Sequence, residues 1–330
     1  MGCKNCFGKS TPTQENECNV VNTSQSGRLR AKRRKLDIDD LEELSLKDLN
    51  KVANTIKTNS KVYCICFISD SEIAVGLESG NIEVYNIKDN KIQYELNAHQ
   101  GIVKSILLLE SNRLCSASGD NTVKIWRLYE RTLEKDLCYH TNWVNCLLHP
   151  KNSNLFFSGG ADNTIQVVDI DIINTEKKGE IQTNGNVDCL CDLENGQFAA
   201  NAGDAIKFYG VNDFKELGAI EGSYSPITSL VKIGDFLVSS SVDGKIKWYD
   251  NNYQKVGTIN DSEEISFMLP VDDTTVIALI KNGIKFVDIK SKKNIKVLSG
   301  HSGVVSCAAS NSSGLLVTGG EDKTIKFWGP

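Results

Sequence analysis

The chain has 330 residues, 40% of them hydrophobic and 24% charged, a composition typical of a globular protein long enough to bury a large core without disulfide staples. No apolar run approaches the roughly 18 residues of a spanning helix, and the start, MGCKNCFGKS, lacks the apolar stretch of a secretory signal, so the chain is expected to begin in the cytosol. The formal charge of −5 hides a division: residues 1–35 carry eight Lys/Arg against two Glu, which leaves −11 on the remainder, a basic tail on an acidic body.

Residues 1–45 are predicted to be a disordered tail, because STPTQENECNVVNTSQSG is polar and has no periodic apolar pattern. Two features of the tail stand out. Met1-Gly2-Cys3 resembles the start of dually acylated proteins, in which Gly2 would carry myristate after Met removal and Cys3 palmitate. The pattern usually has Ser or Thr at position six, where this chain has Cys6. Arg28, Arg30, Lys32, Arg33, Arg34 and Lys35 form a basic cluster. One acyl chain attaches a protein only marginally, and a second chain or a polybasic patch makes the attachment firm. The same cluster also reads as a nuclear import signal or as a solvated charge run. No aromatic residue interleaves it, and the body is acidic, so nucleic acid is not an expected partner. The CxxC of Cys3 and Cys6 lacks the four ligands that zinc requires, and no metal or cofactor is expected.

Next comes LDIDDLEELSLKDLN, in which Leu36, Leu41, Leu44 and Leu49 fit one side of a short helix. It is read as a lead-in packed on the body. The string LEELSLKDLNKV also resembles part of an F-box.

From there to the end one pattern recurs seven times: an apolar run, small or polar residues, a turn with Asp, Asn or Gly, then an alternating strand. The closing strands read NIEVYNI, TVKIWRL, TIQVVDI, AIKFYGV, KIKWYDN, GIKFVDI and TIKFWGP. Their equivalent residues Tyr85, Trp126, Val168, Tyr209, Tyr249, Val287 and Trp328 are spaced by about 40, the repeat length of propeller blades. Within TVKIW, Val123 and Ile125 alternate with Thr122, Lys124 and Trp126, which is the period of a strand. Residues 46–330 are therefore expected to form an all-β, seven-bladed propeller. The last repeat lacks an outermost strand, and the segment 51–61 resembles the outer-strand segments. The two chain ends are expected to share one blade and lock the ring.

The second repeat holds His99, Ser116, Asp120 and Trp126, and the last holds His301, Thr318, Asp322 and Trp328. On these residues the chain resembles the WD-repeat family over about residues 50–330. The resemblance implies that each foursome is a hydrogen-bonded relay tying a blade together, since a buried Asp needs the donors that His, Ser or Thr, and Trp supply. The third repeat has His140, Ser158 and Asp162, but Val168 in the Trp place. The fifth has Ser239 and Asp243, but Tyr249. The fourth keeps Asp204 alone, and the first and sixth have Ser79 and Asn282 in place of Asp. These departing repeats are expected to lean on apolar packing.

Catalysis is not expected. Three of the four histidines occupy the repeat position, and His149 lies in the turn LLHPKNSN. There is no phosphate loop and no nucleophile elbow. The eleven cysteines, several of them in runs such as VYCICFI, are read as reduced core residues. The resemblance implies a docking platform for peptides and protein domains. Its upper mouth would be ringed by Lys61, Ile102, Trp143, Asn186, Pro226, Glu264 and Val304, and the residues before each turn are Glu78, Gly119, Ala161, Gly203, Val242, Lys281 and Glu321. The sequence thus points to a non-catalytic scaffold on a cytoplasmic membrane face. The alternatives are a substrate receptor of a ubiquitin ligase, through LEELSLKDLN, and a soluble or nuclear scaffold.

Overall fold

The computed structural model describes residues 46–170, 175–222, 225–261 and 263–330. The expectations for Gly2, Cys3 and the basic cluster Arg28–Lys35 lie outside the described residues. The blades are seven four-stranded antiparallel sheets. Blade 1 holds β2 (Val62–Ser69), β3 (Glu72–Leu77), β4 (Ile82–Asn86) and β5 (Lys91–Leu96). Blade 2 holds β6 (Val103–Leu109), β7 (Arg113–Ser118), β8 (Val123–Arg127) and β9 (Thr132–Leu137). Blade 3 holds β10 (Val144–Leu148), β11 (Leu155–Gly160), β12 (Thr164–Ile170) and β13 (Thr175–Gln182). Blade 4 holds β14 (Leu190–Asp192), β15 (Gln197–Ala202), β16 (Ala205–Gly210) and β17 (Glu216–Ile220).

Blade 5 holds β18 (Ile227–Ile233), β19 (Phe236–Ser241), β20 (Lys245–Tyr249) and β21 (Lys255–Asn260). Blade 6 holds β22 (Phe267–Pro270), β23 (Thr275–Ile280), β24 (Gly283–Asp288) and β25 (Lys293–Ser299). Blade 7 holds β26 (Val305–Ser310), β27 (Leu316–Gly320), β28 (Thr324–Gly329) and, outermost, β1 (Lys51–Lys57). The first strands of the blades lie side by side in the order β2, β6, β10, β14, β18, β22, β26 and back to β2, which closes the ring. The predicted seven-bladed propeller and its closure by both chain ends are both observed.

Burial falls from the inside of each blade outward. The second strand is almost wholly buried, as in the run EIAVGL of β3, whereas the outer strand KIQYEL of β5 is mostly exposed. A strand covered on both faces needs apolar residues throughout, and one at the rim does not. The core is accordingly divided into seven apolar clusters, one per seam. Val62 and Val75 of blade 1 meet Ile56, Cys307, Val317 and Ile325 of blade 7, and Trp126 meets Ala74, Ile82 and Val84 between blades 2 and 1.

Some seams leave no room for a β-carbon. At the same point of three blades, Gly76 faces Cys64 and Val103, Gly159 faces Cys146 and Val187, and Gly319 faces Cys307 and Val62. A Cβ on Gly159 would stand 2.4 Å from Val187 Cγ1 and 2.8 Å from Cys146 Sγ. Gly159→Ala is therefore expected to destabilise by about 1–3 kcal/mol through overpacking. A urea midpoint would measure this, with partial recovery on adding Val187→Ala; an unchanged midpoint would refute the tight-seam reading.

Where it is described, the lead-in is helical over only three residues. Leu46–Asp48 form one 3-10 turn, after which Leu49 is buried among Ile284, Phe286, Leu316 and Trp328 in the seam of blades 6 and 7. Lys296 Nζ donates to the carbonyls of Lys47 and, at 2.6 Å, Leu49. Lys47 pairs with Asp272. Among the leucines of this segment, Leu46 and Leu49 are therefore committed to the ring, while Leu36, Leu41 and Leu44 lie outside the described residues.

Candidate functional site

The relay residues come together in blade 2. Trp126 Nε1 donates to Ser116 Oγ at 3.0 Å, Ser116 Oγ lies 2.8 Å from His99 Nε2, and His99 Nδ1 lies 2.9 Å from Asp120 Oδ2. The chain of bonds assigns a neutral imidazole: the serine hydroxyl donates to Nε2 and Nδ1–H donates to the carboxylate. Asp120 also accepts from the amides of Gln100 and Thr122 and from the Thr122 hydroxyl. Blade 7 repeats the arrangement with Trp328, Thr318, His301 and Asp322. Blade 3 keeps it from Ser158 through His140 to Asp162, with Val168 buried where the indole would be.

Burial lowers the pKa of His99, His140 and His301, against the pull of their aspartates. For Asp120, Asp162 and Asp322, burial works to raise the carboxyl but is outweighed by hydrogen bonds from neighbouring threonines, backbone amides and the histidines, so the pKa falls. A group depressed on folding lends stability above its unfolded pKa and loses it as pH falls through the folded one. The histidines titrate first, so the urea midpoint is expected to begin falling below about pH 6.5, with the aspartates adding a second loss below about 3.8. His140→Gln should flatten the first step. A midpoint constant from pH 7.5 to 5 would contradict the neutral-histidine relay.

The other blades depart in different ways. Asp204 is exposed. In its place Asn201 Oδ1 accepts from the amides of Asp188 and Cys189 at 2.7 and 2.8 Å. In blade 5 Asp243 accepts from Ser241 Oγ at 2.6 Å and pairs with Lys245. Blade 6 does not rest on apolar packing alone. Asp261, which stands four residues before its inner core residue Ile265 just as His99 precedes Val103, pairs with Lys285 Nζ at 2.6 Å. Both side chains are less than a tenth exposed, and Glu263 adds a second contact at 3.1 Å. An ion pair replaces the His–Asp pair there, and the sequence signal was an acid in the histidine position.

Other candidate chemistry resolves into structure. His149 Nε2 lies 2.8 Å from the Ser153 carbonyl. It lines a small cleft with Arg113, whose Nε and Nη2 donate to the carbonyls of Glu110 and Ile170. The eight described cysteines are all free; burial pushes the Cys191 and Cys307 thiols up to about 12, which leaves them protonated and poorly nucleophilic. Among the described residues no group of His, Cys, Asp and Glu is placed to hold a metal ion, and no helix is long and apolar enough to cross a membrane.

At the mouth, the residues before the inner strands and those before the turns meet pairwise. The amides of Glu78, Gly119, Ala161, Gly203, Val242 and Glu321 donate to the carbonyls of Lys61, Ile102, Trp143, Asn186, Pro226 and Val304, at 2.8 to 3.2 Å. Blade 6 breaks the series, since Ser266 N reaches Leu279 O instead and Glu264 stays exposed. Lys61 stands between Glu78 and Glu321, at 3.5 and 3.6 Å. Trp143 is 48% exposed, with its ring against Gly119.

The repeat profile "WD domain, G-beta repeat" matches residues 90–127, 131–169, 214–250 and 292–329. These stretches end in blades 2, 3, 5 and 7. Similar proteins include the U3 small nucleolar RNA-associated protein 15 homolog of Xenopus laevis, 25% identical over 72% of this chain and 48% of that protein. They also include the WD repeat-containing protein 55 homolog of Dictyostelium discoideum, 25% identical over 56% of this chain and 46% of its own, and human apoptotic protease-activating factor 1, 28% identical over 57% of this chain and 16% of its own. The chain thus spans about half or less of the length of these relatives. Repeat matches that fall on blades keeping both a turn aspartate and a serine or threonine four residues before it, within a ring of seven such sheets, place the chain in the WD-repeat family of β-propellers.

Proposed function

We propose that the chain is a non-catalytic protein-interaction platform that takes its partners on the mouth ringed by Lys61, Ile102, Trp143, Asn186, Pro226, Glu264 and Val304. The observation that carries this reading is Trp143, a large aromatic left 48% exposed on a rigid ring; aromatic anchors of this kind dominate binding energy at interfaces. Gly119 and Ala161 beside it keep the surface open. Partners captured by proximity labelling in cells should be lost with Trp143→Ala, while the circular dichroism and unfolding midpoint of that variant stay unchanged. Retention of every partner would defeat the proposal.

The acylated tail and its basic cluster would hold this platform on a cytoplasmic membrane face. Intact mass after expression in a eukaryotic cell, with fractionation of wild type and Gly2→Ala, tests the tether. Myristate and palmitate on wild type, and release of Gly2→Ala, support it; no acyl mass and equal fractionation remove it. A second reading is a nuclear propeller with Arg28–Lys35 as import signal, favoured by the similarity to a protein named for U3 small nucleolar RNA. Nuclear recovery of wild type that is lost on neutralising the cluster would establish that reading instead. The packing of Leu46 and Leu49 on the ring counts against the ubiquitin-ligase alternative, because those leucines are not free for an adaptor.

A further inference from the structure

Five of the seven inner strands carry a β-bulge just past the mouth, and a bulge re-aims the extra side chain off the ladder. The bulged residues are Tyr63, Lys104, Asn145, Thr228 and Ser306. Lys104 is the one ammonium among them. Its Nζ sits 4.8 Å from the centre of the Trp143 ring, a cation–π contact that leaves its three N–H donors unused. No hydrogen bond or ion pair to Lys104 occurs among the described residues. The charge of Asp188 acts on it, and the Oδ1 and Oδ2 of Asp188 accept from Asn145 at 2.8 Å and Asn201 at 3.5 Å. Burial lowers the pKa of Lys104, so an arriving anion would relieve a cost already present.

The two sides of the mouth differ in this respect. On the side of blades 7 and 1, Lys61 is shared between Glu78 and Glu321, so its charge is more than matched by the two carboxylates. On the side of blades 2 and 3, the turn residues Gly119 and Ala161 bring no charge, and the relay consumes Asp120 and Asp162. A cation with no direct ion pair among the described residues, and with only Asp188 acting on its charge, therefore stands over an exposed indole, beside the half-buried Ile102.

We propose that the Lys104–Trp143 corner receives a carboxylate side chain, carried next to a large apolar residue on an extended peptide. The proposal rests on the mouth being the docking surface. The carboxylate would accept from the Lys104 ammonium while the apolar neighbour lies on Trp143 and Ile102, combining a charge-assisted hydrogen bond with aromatic contact.

The test is selection of a phage-displayed random dodecapeptide library on the full chain, with counter-selection on Trp143→Ala. Such peptides carry no phosphate, so carboxylate is the anion read out. Enriched peptides are expected to place Asp or Glu beside a large apolar residue. Their affinity should fall about tenfold or more with Lys104→Gln, and equally with Glu→Gln in the peptide, should fall little further when both are changed, and should be kept with Lys104→Arg. Quenching of Trp143, the single exposed tryptophan of four, provides the titration signal. Trp143-dependent peptides indifferent to Lys104→Gln, or without an acid, would overturn the acid receptor and leave the platform standing. A library yielding no Trp143-dependent peptide would overturn both.

Discussion

A chain lacking residues 46–57 is expected to lose cooperative unfolding altogether. Three losses coincide. The pairing of β1 with β28, from Lys51 opposite Gly329 to Lys57 opposite Thr324, disappears. Leu49 and Ile56 leave the seams on either side of blade 7, and each buried aliphatic side chain is worth about 1.5–3 kcal/mol. The third loss is the cover of β28, whose bared edge becomes a template for association with other chains. Together these approach the whole stability of a typical domain, about 5–15 kcal/mol. Calorimetry should find no single sharp transition and light scattering should rise. A synthetic peptide of residues 46–57 added to the refolding mixture should restore part of the transition. A truncated chain that melts sharply and stays monomeric would mean that the ring closes without its outer strand. Leu49→Ala alone is expected to cost about 2–5 kcal/mol.

The second large effect is confined to one carboxylate. Asp322→Ala is expected to destabilise by about 3–5 kcal/mol, because four donors lose their acceptor: His301 Nδ1, the amides of Ser302 and Thr324, and the Thr324 hydroxyl. Leaving such groups buried and unpaired costs more than the net worth of the bonds. The comparison with other turn acids is the sharper part of the test. Asp243, half-exposed with Lys245, should cost under about 1 kcal/mol when replaced by alanine, and exposed Asp204 should change little, within about 0.5 kcal/mol. Urea unfolding of the three variants would order them. Equal costs would mean that the relay is no more than a set of turns.

Much of the ring could be read from residue spacing, and the reasons differ by blade. In blades 2 and 7 the His, Ser or Thr, Asp and Trp all remain, and each is held to its place because its partner would otherwise be buried unpaired. Blade closure was readable because the last repeat lacked an outer strand and residues 51–61 had the missing pattern. Blade 6 was not readable in the same way. Asp261 and Lys285 do the work of His and Asp with opposite charges, and no motif search for histidine finds an acid in its place. Asn201 escaped notice because it lies one residue past the usual hydroxyl position, on the other face of its strand.

In six blades the backbone pairing of the residue before the inner strand with the residue before the turn was readable, since the repeat fixes where each inner strand begins. The chemistry of the mouth was less so. Lys104 looks like an ordinary strand residue in GIVKSILLL, and only the bulge between Val103 and Ser105 turns it away from the ladder. A bulge depends on local twist and pairing and leaves no residue signature here. The lead-in was read as a helix from its leucines, yet where it is described Leu49 follows a 3-10 turn and serves as a plug between blades, a tertiary role that periodicity alone does not reveal.

The closing strand also sets an order of events at the ribosome. Lys326 Nζ bonds Thr55 Oγ1 across 271 residues of chain, so at roughly 5–20 residues synthesised per second the strand Lys51–Lys57 emerges on the order of 10–50 s before its partner exists. Throughout that interval the edge that will meet β28 lacks its partner strand, while the blades that follow it are still being made. The charges of Lys51 and Lys57 on that strand work against its pairing with another chain in the meantime. Premature termination anywhere before Thr324 would release an arc with two open sides and no means of sealing them.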